Sequence, residues 1–186
     1  GPQKIMVFGG IKEVANAQER FRGLKESIEG TDIEIIDLLT DDVDFAKARK
    51  NAENTLTAHP DVAALVGLWE YNPPQILNAL KSADKLGKIK TVGFDENFAT
   101  LRAIDEGTCQ GTVCQNPYVF GYDSLKILRD IIVEGKDEAA VVAEMKAKHG
   151  GPEDDPKLIF VDTRVIRKGQ GLAYLNECQA RLDSVK

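Results

Sequence analysis

Apolar positions along this chain alternate between two rhythms: short, solid hydrophobic runs, and longer stretches with an apolar residue every three or four positions. Lys4-Ile-Met-Val-Phe8 is a continuous apolar run closed by Gly9-Gly10, the pattern of a central parallel strand covered on both faces. A helix is predicted from about Asn16 to Ser27, with Phe21, Leu24 and Ile28 at helical spacing and Gly30 as its stop. Ile33 to Leu38 reads as the second strand. Thr40-Asp41-Asp42 then turns the chain, and Asp44 caps a helix from Phe45 to Ala58 that His59-Pro60-Asp61 ends. Val62 to Val66 is the third strand. After Gly67-Leu-Trp-Glu-Tyr-Asn72, Pro73-Pro74 opens a helix that runs to Leu86 and stops at Gly87. Lys88 to Phe94 makes the fourth strand, Phe98 to Glu106 a short helix capped by Asn97, and Thr108 to Cys114 the fifth strand. Strand and helix alternating over short connections specify an α/β fold with a doubly wound parallel sheet in three layers, flavodoxin-like in kind.

From Asn116 the pattern changes. Asn116-Pro117 starts a long helix to about Val133, in which Tyr118, Tyr122, Leu125, Leu128 and Ile132 form one apolar stripe, and Gly135 ends it. Glu138 to Lys148 reads as a further helix, and the turn-rich stretch Gly150 to Pro156 leads to a strand expected from Leu158 to Ile166. An amphipathic helix from about Gly171 to Leu182 closes the chain. The expected division is 1–115 for one lobe and 116–186 for a crossover helix, final strand and terminal helix that complete or extend it.

Composition narrows the classes. With 186 residues, 42% hydrophobic and 29% charged, the chain is sized for one ordinary core. No apolar run reaches the roughly 18 residues of a membrane span, and Gly1-Pro2-Gln3-Lys4 leads straight into a strand without a signal-peptide pattern. No membrane insertion is expected. Lys and Arg number 24 against 30 Asp and Glu, a net charge of -6 with no local basic cluster, which argues against nucleic-acid binding. Cys109, Cys114 and Cys178 form no CxxC pair. Cys109 and Cys114, in what reads as one strand, face opposite sides and are expected to be buried apolar thiols. His59 and His149 fall at helix ends. No nucleophile elbow, phosphate loop or metal-ligand spacing is present, so neither catalysis nor a cofactor or metal is expected, and Gly9-Gly10 reads as a tight turn. The acidic pairs Asp41-Asp42 and Asp154-Asp155 read as solvated turns.

Candidate binding groups recur at one topological level, just past the carboxyl ends of successive strands: Arg20 after the first, Trp69 and Glu70 after the third, Asp95 after the fourth, Gln115 and Asn116 after the fifth. A doubly wound fold brings these ends to one edge. A guanidinium fork, a carboxylate, an amide and a flat aromatic face suit a neutral polyhydroxylated ligand: Asp95 accepts from adjacent hydroxyls, Arg20 and Gln115 donate to ligand oxygens, and Trp69 covers a C–H face. Each has a simpler alternative. Arg20 would pair with Asp41 or Asp42 on the surface, Trp69 would pack under Pro73-Pro74, Gln115 would satisfy a loop backbone, and Asp95 would cap the amides of residues 97 and 98.

Four phrases in order, Glu19-Arg-Phe-Arg-Gly23, Asn54-Thr-Leu-Thr-Ala-His-Pro-Asp61, Val92-Gly-Phe-Asp95 and Gly111-Thr-Val-Cys-Gln-Asn-Pro117 leading to Gly121, resemble the type I periplasmic sugar-binding proteins of ABC transporters, the ribose-binding-like group. The resemblance runs from Lys4 to about Ile166. It implies that Arg20, Asp95 and Gln115 hydrogen-bond a monosaccharide or polyol, that an ABC permease is the partner, and that the protein works in the periplasm or an equivalent extracytoplasmic space. Trp69 stands where an asparagine is usual, and Glu70 where an aspartate is common, a departure that bears on which sugar is bound. The resemblance further implies a carboxyl-terminal lobe without its amino-terminal partner. The helix 117–133 is then expected either to fold back on this lobe or to pair with a second copy in a homodimer. Two other readings of the same fold are the effector-binding core of a LacI-type transcription regulator, and an enzyme of flavodoxin-like architecture acting on a sugar derivative with Asp95 or Glu70 as acid or base.

Overall fold

The computed structural model describes Gly1 and residues 3–184; Pro2, Val185 and Lys186, which fall within the terminal stretches discussed above, lie outside the described residues. Its elements run β1 (Gln3–Gly9), α1 (Ala15–Ser27), β2 (Ile33–Thr40), α2 (Phe45–Ala58), β3 (Ala64–Gly67), α3 (Asn72–Ser82), β4 (Lys90–Phe94), α4 (Phe98–Asp105), β5 (Gly111–Cys114), α5 (Pro117–Ile132), α6 (Glu138–His149), β6 (Arg164–Ile166) and α7 (Gly171–Asp183). They form two compact units, Gly1–Val113 with the stretch from Val165 onward, and Cys114–Arg164.

The sheet has the order β2-β1-β3-β4-β5-β6, and β2, β1, β3, β4 and β5 pair in parallel. The strand direction of travel reverses between β1 and β3, which makes their carboxyl ends the topological switch point, the place where open α/β sheets bind ligands. A register shift between Ile5 and Val7 lets β2 reach further, so that Thr40 stands opposite Gly9.

Both faces of the sheet are covered, which is why β1 and β3 are apolar without alternation. On one face Met6, Phe8 and Leu65 pack with Ala52 and Leu56 of α2 and Ile76, Ala79 and Leu80 of α3. On the other, Val7, Val66 and Leu68 meet Phe21 and Leu24 of α1, with Trp69 and Phe94 at the rim. Each fully buried leucine or isoleucine contributes roughly 1.5–3 kcal/mol relative to exposure. The three-layer, doubly wound parallel architecture expected from the sequence is the one found.

Caps follow the sequence signals: Asp44 accepts from the amides of Ala46 (2.8 Å) and Lys47 (3.0 Å), Asn97 from Ala99 (2.8 Å) and Asn116 from Val119 (3.3 Å). Three expectations are corrected. The strand expected from Leu158 to Ile166 is only Arg164–Ile166; Leu158 and Phe160 are exposed, and the Phe160 amide turns back to the Gly150 carbonyl at 3.1 Å. Cys109 precedes β5 instead of sharing it, with its buried thiol turned to the Thr91 carbonyl (3.3 Å). The α5 stripe is not folded under: Tyr118, Tyr122, Leu125, Leu128 and Ile132 are all more than half exposed, and the helix turns Asp123 and Asp130 inward instead.

Within the second unit, Asp130 is buried among Lys126 (2.7 Å), Arg129 (3.0 Å) and Lys136 (3.2 Å), and Asp123 is held by His149 (2.7 Å) and Lys148 (3.2 Å).

Candidate functional site

Four of the sequence-predicted residues, Arg20, Trp69, Glu70 and Asp95, lie at the carboxyl edge of the first unit's sheet. Arg20 lies within α1, and its side chain is only 11% exposed. Nη1 donates to the Leu68 carbonyl (2.5 Å) and to Asp95 Oδ2 (3.1 Å), while Nη2 donates to Asp95 Oδ1 (3.1 Å). The guanidinium carbon sits 4.7 Å over the Phe94 ring. This is the bidentate fork of arginine on a carboxylate, stacked on an aromatic face, a geometry lysine cannot reproduce.

Asp95 follows β4 with φ 65°, in the left-handed region. Its amide donates to the Val113 carbonyl (2.8 Å), and its carbonyl accepts from the Thr112 hydroxyl (2.8 Å). Both anchors on β5 thus extend the ladder by one residue and turn the carboxylate out to Arg20. The alternatives weighed for these two residues are not what the structure holds: Arg20 pairs with Asp95 and not with Asp41 or Asp42, and the cap of α4 is Asn97.

Trp69 closes the other side. Its amide donates to Asn72 Oδ1 (2.9 Å), and its indole lies directly on the backbone of Gly10, where a Cβ would come within 2.2 Å of the ring. Gly10 therefore does more than turn the chain; it makes room for the indole. Pro73 packs on Gly67 and Gly93. Glu70 is exposed and accepts a hydrogen bond from the Asn97 side chain, which ties the loop after β3 to the start of α4. Gln115, the first residue after β5, is exposed and belongs to the second unit, so the site assembled in the first unit consists of Arg20, Trp69, Glu70 and Asp95. Among the described residues no cluster of His, Cys, Asp or Glu side chains is placed to hold a metal ion.

The sequence reading missed Asp41. Expected in a solvated turn, it is fully buried at the end of β2, although Asp42 beside it is exposed. Its Oδ1 accepts from the Tyr71 hydroxyl and from the Val43 amide (3.0 Å), and its Oδ2 from Asn72 Nδ2 (3.0 Å). Burial pushes Asp41 above the usual carboxylate range despite these donors, and burial together with Asp41 pushes the Tyr71 phenol up. Tyr71 in turn presents its ring edge-on to Trp69, at 6.2 Å and 85°, and stacks on Phe45 at 4.7 Å. Glu96, beside Asp95, is also raised, by burial first and then by the neighbouring carboxylate.

A profile of the periplasmic binding protein domain matches residues 1–137. The ribose import binding protein RbsB of Salmonella typhimurium is 26% identical over 145 residues, which is 77% of this chain and 48% of that protein. The D-ribose/D-allose-binding protein of Pseudomonas aeruginosa is 25% identical over 142 residues, 74% of this chain and 44% of that protein. The chain thus spans about half the length of the curated relatives it matches. Among solved structures, GanP, a glucose-galactose binding protein from Geobacillus stearothermophilus, superposes with a TM-score of 0.74 at 26% identity, covering 89% of this chain and 53% of that one. A periplasmic solute-binding protein of an ABC transporter from Actinobacillus succinogenes, with bound D-allose, shares the fold at a TM-score of 0.75 and 22% identity, covering 93% and 56%. These relatives are binding proteins, not enzymes. The α/β sheet and the matched profile together show that this chain belongs to the periplasmic binding protein family, alongside the type I sugar-binding proteins of ABC transporters.

Proposed function

We propose that Arg20, Trp69, Glu70 and Asp95 supply one wall of a monosaccharide or polyol site, that Gln115 of the second unit is a further ligand-binding residue, and that the protein serves an ABC permease in the periplasm or an equivalent extracytoplasmic space. The observation that carries this reading is the Arg20–Asp95 fork at the switch point, with the Trp69 indole at the same edge. Three of the five guanidinium donors are used by Leu68 and Asp95, which leaves two for ligand oxygens, and each Asp95 oxygen retains acceptor capacity for a hydroxyl. Because the fork is already formed, little side-chain entropy remains to be lost on binding.

One wall alone leaves the ligand in water, so affinity depends on a second surface closing over it. Titration calorimetry with D-ribose, D-allose, D-glucose and D-galactose should give weak binding by this chain, about millimolar, abolished by Arg20→Ala and by Asp95→Ala. Failure of every sugar to bind, or equal binding by the variants, would remove the assignment; micromolar binding by the monomeric chain would contradict the need for a second surface. The exposed stripe of α5 supports an association face as well, for which a homodimer through residues 117–133 is the occupant to test.

A further inference from the structure

We propose that Asp41, acting through Tyr71 and Asn72, is the positioning residue that fixes the Trp69 indole at the candidate site and so sets which sugar face the site accepts. The proposal rests on the reading of Trp69 as a wall of that site. Three observations converge on it.

First, the Asp41 carboxylate is buried but is met by neutral donors: the Tyr71 hydroxyl, the Asn72 amide and the Val43 backbone. A buried acid held this way is poor value as a stabilising device, since an apolar residue of similar size would avoid its desolvation. It does fix geometry. Both side chains it holds bear on Trp69, Tyr71 through a ring edge and Asn72 through its Oδ1 on the Trp69 amide.

Second, the backbone beside Asp41 is strained. Asp42 has φ 55° and Val43 φ 64°, and a β-branched residue there is an outlier. The Asp41 carboxylate on the Val43 amide and the Asp42 amide on the Gly10 carbonyl (3.0 Å) hold this turn in place. Strain maintained by a dedicated buried group concentrates at functional sites, and Gly10 is the residue on which the indole rests.

Third, the Trp69 Nε1–H is buried and lacks a hydrogen-bond partner in the protein. The indole therefore presents carbon, not a donor, to whatever occupies the site. A wall of this kind favours a sugar with a C–H face or a missing hydroxyl on that side over one with a hydroxyl there. The position of the ring decides where that preference falls.

Trp69 is the sole tryptophan, so its emission reports the indole directly. The experiment compares wild type, Tyr71→Phe, Asp41→Asn and Gly10→Ala by far-UV circular dichroism, by acrylamide quenching of Trp69, and by the affinity ratio of D-ribose to 2-deoxy-D-ribose. Gly10→Ala, which displaces the ring by contact, supplies the signature of a moved indole. Tyr71→Phe should keep the wild-type far-UV spectrum, shift quenching towards the Gly10→Ala value, and change the sugar ratio by about tenfold, the scale of one methylene of pocket contact. Asp41→Asn should shift quenching in the same direction; if it fails to fold, Tyr71→Phe decides. Wild-type quenching in Tyr71→Phe, with Gly10→Ala shifted, would overturn the proposal. So would an unchanged sugar ratio. If no sugar binds the wild-type chain, the sugar assignment falls, and quenching still decides whether Asp41 positions Trp69.

Discussion

Asp95 is asked to do two incompatible things, and its neighbours reconcile them. A non-glycine residue in the left-handed region carries a cost of about 1–2 kcal/mol, although aspartate bears it better than most. The Val113 and Thr112 hydrogen bonds hold the backbone there, and the reward is a carboxylate turned onto Arg20. Two substitutions separate these effects. Asp95→Gly and Asp95→Ala both remove the carboxylate and should both abolish sugar binding, but the glycine variant should be the more stable by about 1 kcal/mol, because it alone relaxes at positive φ. Equal stabilities in urea unfolding would show that the backbone there is not strained. Asp95 was legible because the carboxyl end of a strand is a privileged place in this topology. Asp41 has the same local signature, an acid in a turn after a strand, and was assigned to solvent. Nothing within its own segment distinguishes it; the group that buries it, Tyr71, is 30 positions away in the chain.

At the scale of elements, periodicity placed the strands and helices of the first unit because each buries a face on the sheet, and burial is what a hydrophobic period encodes. The turn-rich stretch before β6 was harder to read. Leu158 and Phe160 have strand-like spacing but are exposed, and only three residues join the sheet. The docking of α7 was also hidden. The Asp105 carboxylate of α4 receives the amides of Leu172 (2.6 Å), Gly169 (2.8 Å) and Gly171 (3.0 Å), capping α7 from another helix, and Gly171 packs so tightly on the Leu101 carbonyl that a Cβ would come within 2.2 Å. A cap across elements leaves no local pattern. The long helix α5 gives the opposite case, a clear apolar stripe whose cover the sequence does not identify. If that stripe is an association face, the sedimentation coefficient of the wild-type chain should rise with concentration, while Leu125→Glu with Leu128→Glu should hold it at the monomer value. A concentration-independent monomer in both would remove the homodimer.

Taken as a whole, the two units balance acid in different ways. In the second, both displaced carboxyl groups are displaced downward. Lys126 and Arg129 lead in holding Asp130 far below its ordinary 3.8, and Asp123, pushed up by burial, is nonetheless held below it by Lys148 and His149. A carboxyl group with a depressed folded value adds stability above its ordinary value and loses it as pH falls through the folded one. The first unit is mixed: Asp105, through the Leu172 amide first, and Asp61, through Lys4, are lowered, whereas burial raises Asp41 and Glu96. A raised carboxyl group costs stability above its folded value, and that cost disappears as pH falls towards its ordinary one. Acid therefore withdraws support from the second unit without compensation, while in the first unit the terms oppose one another. Thermal unfolding followed by Trp69 emission reports the first unit, and far-UV circular dichroism reports both. The two transitions should separate as pH falls below about 4, through the interval between the ordinary carboxylate value and the depressed folded values of Asp130 and Asp123, with the dichroism signal beginning to fall at the lower temperature. Asp130→Asn should narrow the gap by removing the largest acid-sensitive contribution in the second unit. Superimposable transitions in the wild-type chain at about pH 2 would show that the two units unfold as one, and that the buried carboxylates of the second, with their lysine, arginine and histidine partners, do not set its acid limit.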